Sequence, residues 1–110
     1  MDLRVIQRIV FDEYIKNGYL DMWNSAARIL KDNQKSKGIV DLAEIGLFAT
    51  EISETMEDIR ANDIGEKEEL ADLIIRALNY ASRKGYDMET AILAKHQINM
   101  ERPKLHGKVI

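Results

Sequence analysis

The stretch that decides the fold runs from residue 44 to residue 76 and reads EIGLFATEISETMEDIR, ANDIGEKE and ELADLIIR. Glu51 and Glu54 stand three positions apart in the first segment, and Glu69 and Asp72 stand three apart in the last. Because three residues are close to one turn of an α-helix, each pair projects from one face of its own helix. Two acidic pairs that face one another repel unless cations lie between them, and hard cations such as Mg²⁺ take oxygen ligands. The stretch therefore predicts two helices with a candidate metal site.

The first acidic helix is expected to carry an apolar face away from its acids. Asp41 and Glu44 have the spacing of a capping box, although a start one turn earlier fits as well. At about 100° per residue, one apolar stripe is predicted, and it consists of Ile45, Phe48, Ile52, Met56 and Ile59. Three acids cluster away from it, namely Glu51, Glu54 and Asp58. Leu47 lies among those acids, which indicates that another helix or another subunit covers the acidic face.

The second acidic helix, predicted over about residues 66–84, is apolar around most of its circumference. We therefore expect it to be the central, most buried helix. Glu69, Asp72 and Arg76 share the remaining strip, and Gly85 suits the position just after the helix. Arg83 and Lys84 suit the negative end of the helix dipole.

The rest of the chain is also predicted to be helical, with short breaks. Asp2 is placed to cap a first helix that Asn17-Gly18 ends, and residues 21–31 form either a separate helix or a bent continuation of it. Residues 31–38 are polar and without periodicity, which predicts an exposed loop. Asp87 is placed to cap a last helix over about 88–101.

At 110 residues the chain is expected to form a single all-α domain, a helical bundle. We divide it into an N-terminal helical segment with the polar loop (1–40), the helices that carry the candidate site (41–102) and a basic tail (103–110). The formal charge of −3 gives no positive field for nucleic acid, and no apolar run is long enough for a membrane span. Without a signal-peptide pattern or a cysteine, the expected location is the cytoplasm.

Considered alone, the acids support two interpretations equally. Acidic residues on helices usually form a solvated face, but Glu69 and Asp72 interrupt the most apolar helix, where an unpaired charge costs roughly several kcal/mol. Arg76, one turn further on, can neutralise one of them, which gives a structural ion-pair cluster. Divalent cations among the four acids give a metal site instead.

A cationic stripe on the last helix favours the metal site. Lys95, Asn99 and Arg102 occur at i, i+4 and i+7, and a lysine, an amide and a guanidinium in line can bind successive phosphate oxygens. Further basic residues follow in the tail, namely Lys104, His106 and Lys108. Four acids for metal and a cationic stripe for phosphate are what metal-dependent phosphoryl chemistry requires.

The pattern E-x-x-E, a 14-residue gap, E-x-x-D, then K-x-x-x-N-x-x-R-P and H-G-K resembles the MazG-like branch of the all-α nucleoside triphosphate pyrophosphohydrolases. The resemblance covers roughly residues 42–108. Within the family, this stretch is similar to small phage and bacterial members in particular. Residues 1–40 match only in K-N-G-Y (16–19), and in the family that region helps form the nucleobase pocket. Base and sugar preference are therefore not implied.

The resemblance implies a role for each matching position. Glu51, Glu54, Glu69 and Asp72 would be the catalytic metal ligands for Mg²⁺ or Mn²⁺, and a water held among them would be the nucleophile. Lys95, Asn99 and Arg102 would hold the triphosphate, which would be cleaved between the α and β phosphates to a nucleoside monophosphate and pyrophosphate. Asp58 and Arg76 are auxiliary candidates. Which carboxylate would act as general base is not fixed by spacing.

The resemblance also implies a homodimer or homotetramer, with a four-helix core built with a partner subunit. Two other functions are consistent with the sequence: a phosphoribosyl-ATP pyrophosphohydrolase-like enzyme, and a non-catalytic helical interaction protein. His96 and His106 are not preceded by a Glu three positions earlier, so a di-iron E-x-x-H site is not expected. Trp23 is interpreted as a core or interface residue.

Overall fold

The computed structural model describes residues 2–36, 38–62 and 65–103, and within these ranges the protein is entirely helical, without strands. Five α-helices follow one another, namely α1 (Leu3–Lys16), α2 (Tyr19–Ile29), α3 (Ile39–Arg60), α4 (Glu66–Arg83) and α5 (Met88–Met100). The predicted all-α helical bundle is confirmed. Among these helices none is both long and apolar enough to cross a membrane. The tail residues Lys104, His106 and Lys108 lie outside the described residues.

Local signals set the ends of most helices as predicted. The Asp2 carboxylate accepts a hydrogen bond from the backbone N–H of Val5, and Asp87 caps α5 in the same way through Thr90. Gly18 adopts φ +86°, a left-handed conformation that L-residues rarely adopt, and this break makes α2 a separate helix. Gly85, at φ +80°, follows the end of α4.

Of the two predicted starts of α3, the structure has the one about a turn before the capping box. The helix begins at Ile39, so Asp41 lies in its first turn rather than before it. The N–H of Val40 donates to the Asp32 carboxylate at 3.0 Å, so a residue of the preceding polar loop satisfies the helix start. Glu44 is buried and turned toward α4, because it is bound there by Arg83.

The helix α4 lies against both α3 and α1, while α1 also contacts α2 and α5. The small buried apolar core consists of Tyr14, Val40, Leu78 and Ala81. No residue of α5 is buried, and this helix rests on α1. The C-terminal half of α4 is thus the centre of the protomer.

The apolar stripe of α3 is exposed except at Phe48, which packs against Tyr80 of α4. Ile52, Met56 and Ile59 are 48%, 49% and 58% exposed, because α3 turns its buried glutamates toward α4, where arginines neutralise them. On α4, Leu70 and Ile74 are also exposed. The helix expected to be the central, most buried one is therefore central, but within the protomer its buried residues lie only in its last turns.

Candidate metal and ligand site

The pairing of α3 with α4 brings acids of both predicted pairs together. One carboxylate oxygen from each of Glu51, Glu69 and Asp72 lies within 4.8 Å of the others. Glu54, the fourth predicted acid, is exposed on α3 and lies beside Glu69, close enough to act on its ionisation. The sequence pattern thus identified residues that are neighbours in space.

Two oxygens of this acidic group are buried without a donor. Glu51 is 5% exposed, and its Oε2 atom has no hydrogen-bond partner among the residues that the structure describes. The Oε2 atom of Glu69 is in the same state. Because ionised carboxylates only accept hydrogen bonds, such oxygens require either a proton shared within the group or a cation. An all-oxygen donor set of this kind fits a hard divalent cation.

The ionisation of Glu69 reflects its crowding. The pKa of its carboxyl is raised from 4.5 to about 7, first because of the hydrogen bond with Glu54, then through burial, and further through the charges of Glu54 and Glu51. A proton therefore occupies the group near neutral pH in the absence of metal. A bound cation would take the place of that proton.

Arg76 binds this group from a direction that the sequence did not indicate. It was expected to neutralise Glu69 or Asp72 on its own helix, but its Nε donates to Oε1 of Glu51 at 2.6 Å, across the interface between α4 and α3. The Arg76 side chain is 41% exposed and the Glu51 side chain 6%. Oε1 of Glu51 thus accepts a hydrogen bond from the guanidinium of Arg76, whereas Oε2 has no hydrogen-bond donor within the described residues.

A cavity of about 390 Å³ opens next to the acidic group. Its walls are largely aromatic and apolar, with contributions from Tyr14, Tyr19, Met22, Trp23, Leu47 and Phe48. Glu51, Asp72 and Arg76 line the same cavity, so it is continuous with the acidic group. Its size falls within the range of ~300–1,000 Å³ of small-molecule sites, and aromatic walls suit a flat ring. Trp23 is therefore a cavity residue, which its isolated position in the sequence did not reveal.

Two polar residues distinguish the lining further. Among the described residues that line the cavity, Arg76 is the only lysine or arginine. Asn79, two turns after Asp72 on α4, also lines it, is 7% exposed, and has a buried Oδ1 with no partner among the described residues. Arg76 is an auxiliary candidate from the sequence, and Asn79 lies near the strip of Glu69 and Arg76 on α4, but the cavity that both line forms only where four helices meet.

The cationic stripe occupies a different place. Lys95 and Asn99 lie on α5, Arg102 follows its end, and none of the three is among the described residues that line the cavity. Asn99 has a buried Oδ1 without a hydrogen-bond partner in the described part of the chain. The predicted stripe is thus on one helix, while the acidic group and the cavity are formed by others.

Asp58, the auxiliary candidate, belongs to the last turns of α3, and its side chain lies beside the residue that precedes α4. Its carboxylate is packed against Gly65, where a Cβ atom would come within 2.7 Å of Oδ2. A carboxylate at the N-terminal end of a helix is favoured by the helix dipole. This placement gives Asp58 a structural role at the helix start.

A second charged network joins α3 and α4, and two of its residues, Tyr14 and Glu44, also line the cavity. Arg83 binds Glu44 and Asp41, each at 2.6 Å, and Lys84 binds the other oxygen of Asp41. The hydroxyl of Tyr14 donates to Glu44 at 2.7 Å, and burial followed by this bond raises the pKa of Tyr14. The basic pair was expected only to complement the helix dipole, because spacing along one helix says nothing of its neighbour.

Comparison with models of protein families, with curated proteins and with solved structures yields no match to this chain.

Proposed function

We propose that the protein is a Mg²⁺-dependent nucleoside triphosphate pyrophosphohydrolase of the MazG-like type. It would convert a (deoxy)nucleoside triphosphate and water into a nucleoside monophosphate and pyrophosphate, as a house-cleaning enzyme for non-canonical or surplus nucleotides in the cytoplasm. The observation that carries the proposal is the pair of buried carboxylate oxygens, on Glu51 and Glu69, that have no donor within the described residues. An aromatic cavity adjoins them.

Each group of residues has a task in this proposal. Glu51, Glu69 and Asp72 would hold Mg²⁺ or Mn²⁺, with Glu54 beside them. When bound, the cation would lower the pKa of a coordinated water and neutralise charge on the phosphoryl oxygens. The aromatic walls would stack on the base and keep bulk water away from it. Lys95, Asn99 and Arg102 would bind the phosphates beyond the cleaved bond.

We also propose a homodimer or homotetramer. The support is the outward apolar stripe of α3, because contiguous exposed apolar surface is a mark of protein interfaces. A second copy of the same surface would cover it with a two-fold related stripe. This would complete a four-helix core of which one protomer supplies only a part.

The same exposed stripe favours a second candidate, a non-catalytic helical interaction protein. In that case the acids would be a structural cluster neutralised by Arg76 and by a shared proton. This candidate predicts no metal-dependent turnover of any nucleotide. A single assay of metal-dependent nucleotide hydrolysis therefore distinguishes the two candidate functions.

The test is pyrophosphate release from a panel of ribo- and deoxynucleoside triphosphates, with Mg²⁺ and with EDTA. We expect Mg²⁺-dependent release that Glu69→Gln abolishes. Glu68→Gln is the matched control, because it removes the neighbouring exposed acid from the same turn of α4. Equal release from the two variants, or none from the unmodified protein, would refute the proposal.

A further inference from the structure

The guanidinium of Arg76 is only partly engaged. Its Nε donates to Oε1 of Glu51, and this contact is both a hydrogen bond and an ion pair. Within residues 2–36, 38–62 and 65–103, Arg76 makes no other hydrogen bond or ion pair. Arginine carries five N–H donors in a rigid plane, so the donors on Nη1 and Nη2 are left for another acceptor. Because Glu51 is almost fully buried, it fixes the base of this plane.

The position of the Arg76 guanidinium indicates which chemical group its Nη donors can bind. Arg76 lines the aromatic cavity and, through Glu51, touches the acidic group, so it lies where the two adjoin. The other charged residues that line the cavity are acids: Glu13, Glu44, Glu51 and Asp72. Among the described residues of the lining, Arg76 is therefore the one lysine or arginine that can pair with an anionic group, and the ring next to that group would lie against the aromatic walls.

We propose that Arg76 is a phosphate-binding residue, whose Nη donors hold the phosphoryl group attached directly to the nucleoside while Glu51 positions its Nε. This rests on the proposed function and deepens it, because it assigns the α-phosphate to α4 rather than to the stripe on α5. The ligand class is a nucleoside 5′-phosphate, with its base in the cavity and its first phosphate at Arg76. The stripe on α5 is left for the phosphates farther out.

Binding can be followed without turnover, because Trp23 is the one tryptophan of the chain and lines the cavity. The probes are adenosine, cytidine, guanosine and uridine and their 5′-monophosphates, titrated in Mg²⁺ while tryptophan fluorescence is recorded. For each base that binds, we expect the 5′-monophosphate to bind about tenfold or more tightly than the nucleoside, because hydrogen bonds to a charged group are stronger than those between neutral groups.

Variants separate Arg76 from the rest of the chain. Arg76→Gln should bring the affinity for the monophosphate down to that for the nucleoside and leave nucleoside affinity unchanged. Arg76→Lys keeps the charge but not the planar fork, so we expect it to retain part of the difference. Arg8→Gln is the matched control, because it removes an exposed arginine of α1 that is not among the described residues lining the cavity, and it should retain the full difference. Circular dichroism and thermal melting establish that each variant is folded.

The inference is overturned if the unmodified protein binds monophosphates no better than nucleosides, or if Arg76→Gln retains the difference, or if Arg8→Gln removes it to the same extent. Pyrophosphate release is measured separately on the same samples. Mg²⁺-dependent release with phosphate binding that does not depend on Arg76 would refute this inference alone. A loss of the difference in Arg76→Gln without any release would support it and refute the proposed reaction.

Discussion

Glu44 and Glu51 lie two turns apart on α3, and each is bound at 2.6 Å by the Nε atom of an arginine of α4. Their second oxygens differ. Oε2 of Glu44 accepts a hydrogen bond from Tyr14, whereas Oε2 of Glu51 is buried without a donor in the described part of the chain. Both carboxylate oxygens of Glu44 therefore have hydrogen-bond donors. Only one oxygen of Glu51 has a donor within the described residues, and its other oxygen lies next to further carboxylates.

Neutralising the two glutamates should have different consequences. Glu44→Gln should lower the free energy of unfolding by roughly 1–3 kcal/mol, because it leaves the nearly buried Arg83 short of a counter-charge. Glu51→Gln should change it by less than about 1 kcal/mol in EDTA, since losing the bond to Arg76 is offset by less repulsion among the acids. Urea denaturation measures both. Equal destabilisation by the two variants would contradict this distinction.

Removing one hydroxyl should test the hydrogen bond between Tyr14 and Glu44 more finely. Tyr14→Phe deprives Glu44 of its second donor and should cost roughly 1–2 kcal/mol of stability. Tyr86→Phe, at an exposed position, is the matched control and should cost less than about 0.5 kcal/mol. Thermal melts of the two variants give the comparison, and no difference between them would show that the Tyr14 bond contributes nothing.

Metal affinity should depend on pH through Glu69. Its pKa is raised to about 7, chiefly by Glu54, so metal must displace a proton below that pH. We expect Mn²⁺ to bind about tenfold more weakly at pH 6 than at pH 8, as followed by electron paramagnetic resonance. In Glu69→Gln the affinity should be lower and nearly independent of pH over this range. A pH dependence that survives in the variant would assign it to another group.

The same shift acts on the stability of the metal-free protein. Folded Glu69 keeps its proton up to about pH 7, whereas the unfolded chain loses it near 4.5. The contribution of this group is therefore fully present below pH 4.5 and is lost as the pH rises to about 7. Urea midpoints in EDTA should show this trend in the unmodified protein relative to Glu69→Gln.

A charge on the outward face of α3 should prevent self-association. Met56→Glu places a carboxylate in the exposed apolar stripe, and we expect it to produce monomers in light scattering at micromolar concentration. Ile29→Glu, on an exposed residue of α2, is the control and should leave the assembly unchanged. An unmodified protein that is itself monomeric at this concentration would contradict the proposed assembly.

The sequence predicted the helices well because their signals are local. Asp2, Gly18, Gly85 and Asp87 act on their immediate neighbours, and the second acidic helix, predicted over about 66–84, is observed as Glu66–Arg83. Spacing also predicted that each acidic pair shares a face of its own helix, and Glu51, Glu69 and Asp72 are neighbours in the structure.

What the sequence did not predict depends on contacts between helices. Arg76 was assigned to acids of its own helix, but it binds Glu51 on α3, and no spacing rule relates positions on two helices. Trp23 enters the cavity only because α2 packs beside α3. The direction of the apolar stripe of α3 likewise depends on where the arginines of α4 lie.

The most direct test of the central proposal is ³¹P nuclear magnetic resonance of a nucleoside triphosphate incubated with the protein. With Mg²⁺ we expect nucleoside monophosphate and pyrophosphate in equal amounts, and with EDTA or Glu69→Gln we expect unchanged triphosphate. Orthophosphate with nucleoside diphosphate would show cleavage at the wrong bond. That result, or unchanged triphosphate in Mg²⁺ for every base, would contradict a pyrophosphohydrolase site at Glu51, Glu54, Glu69 and Asp72.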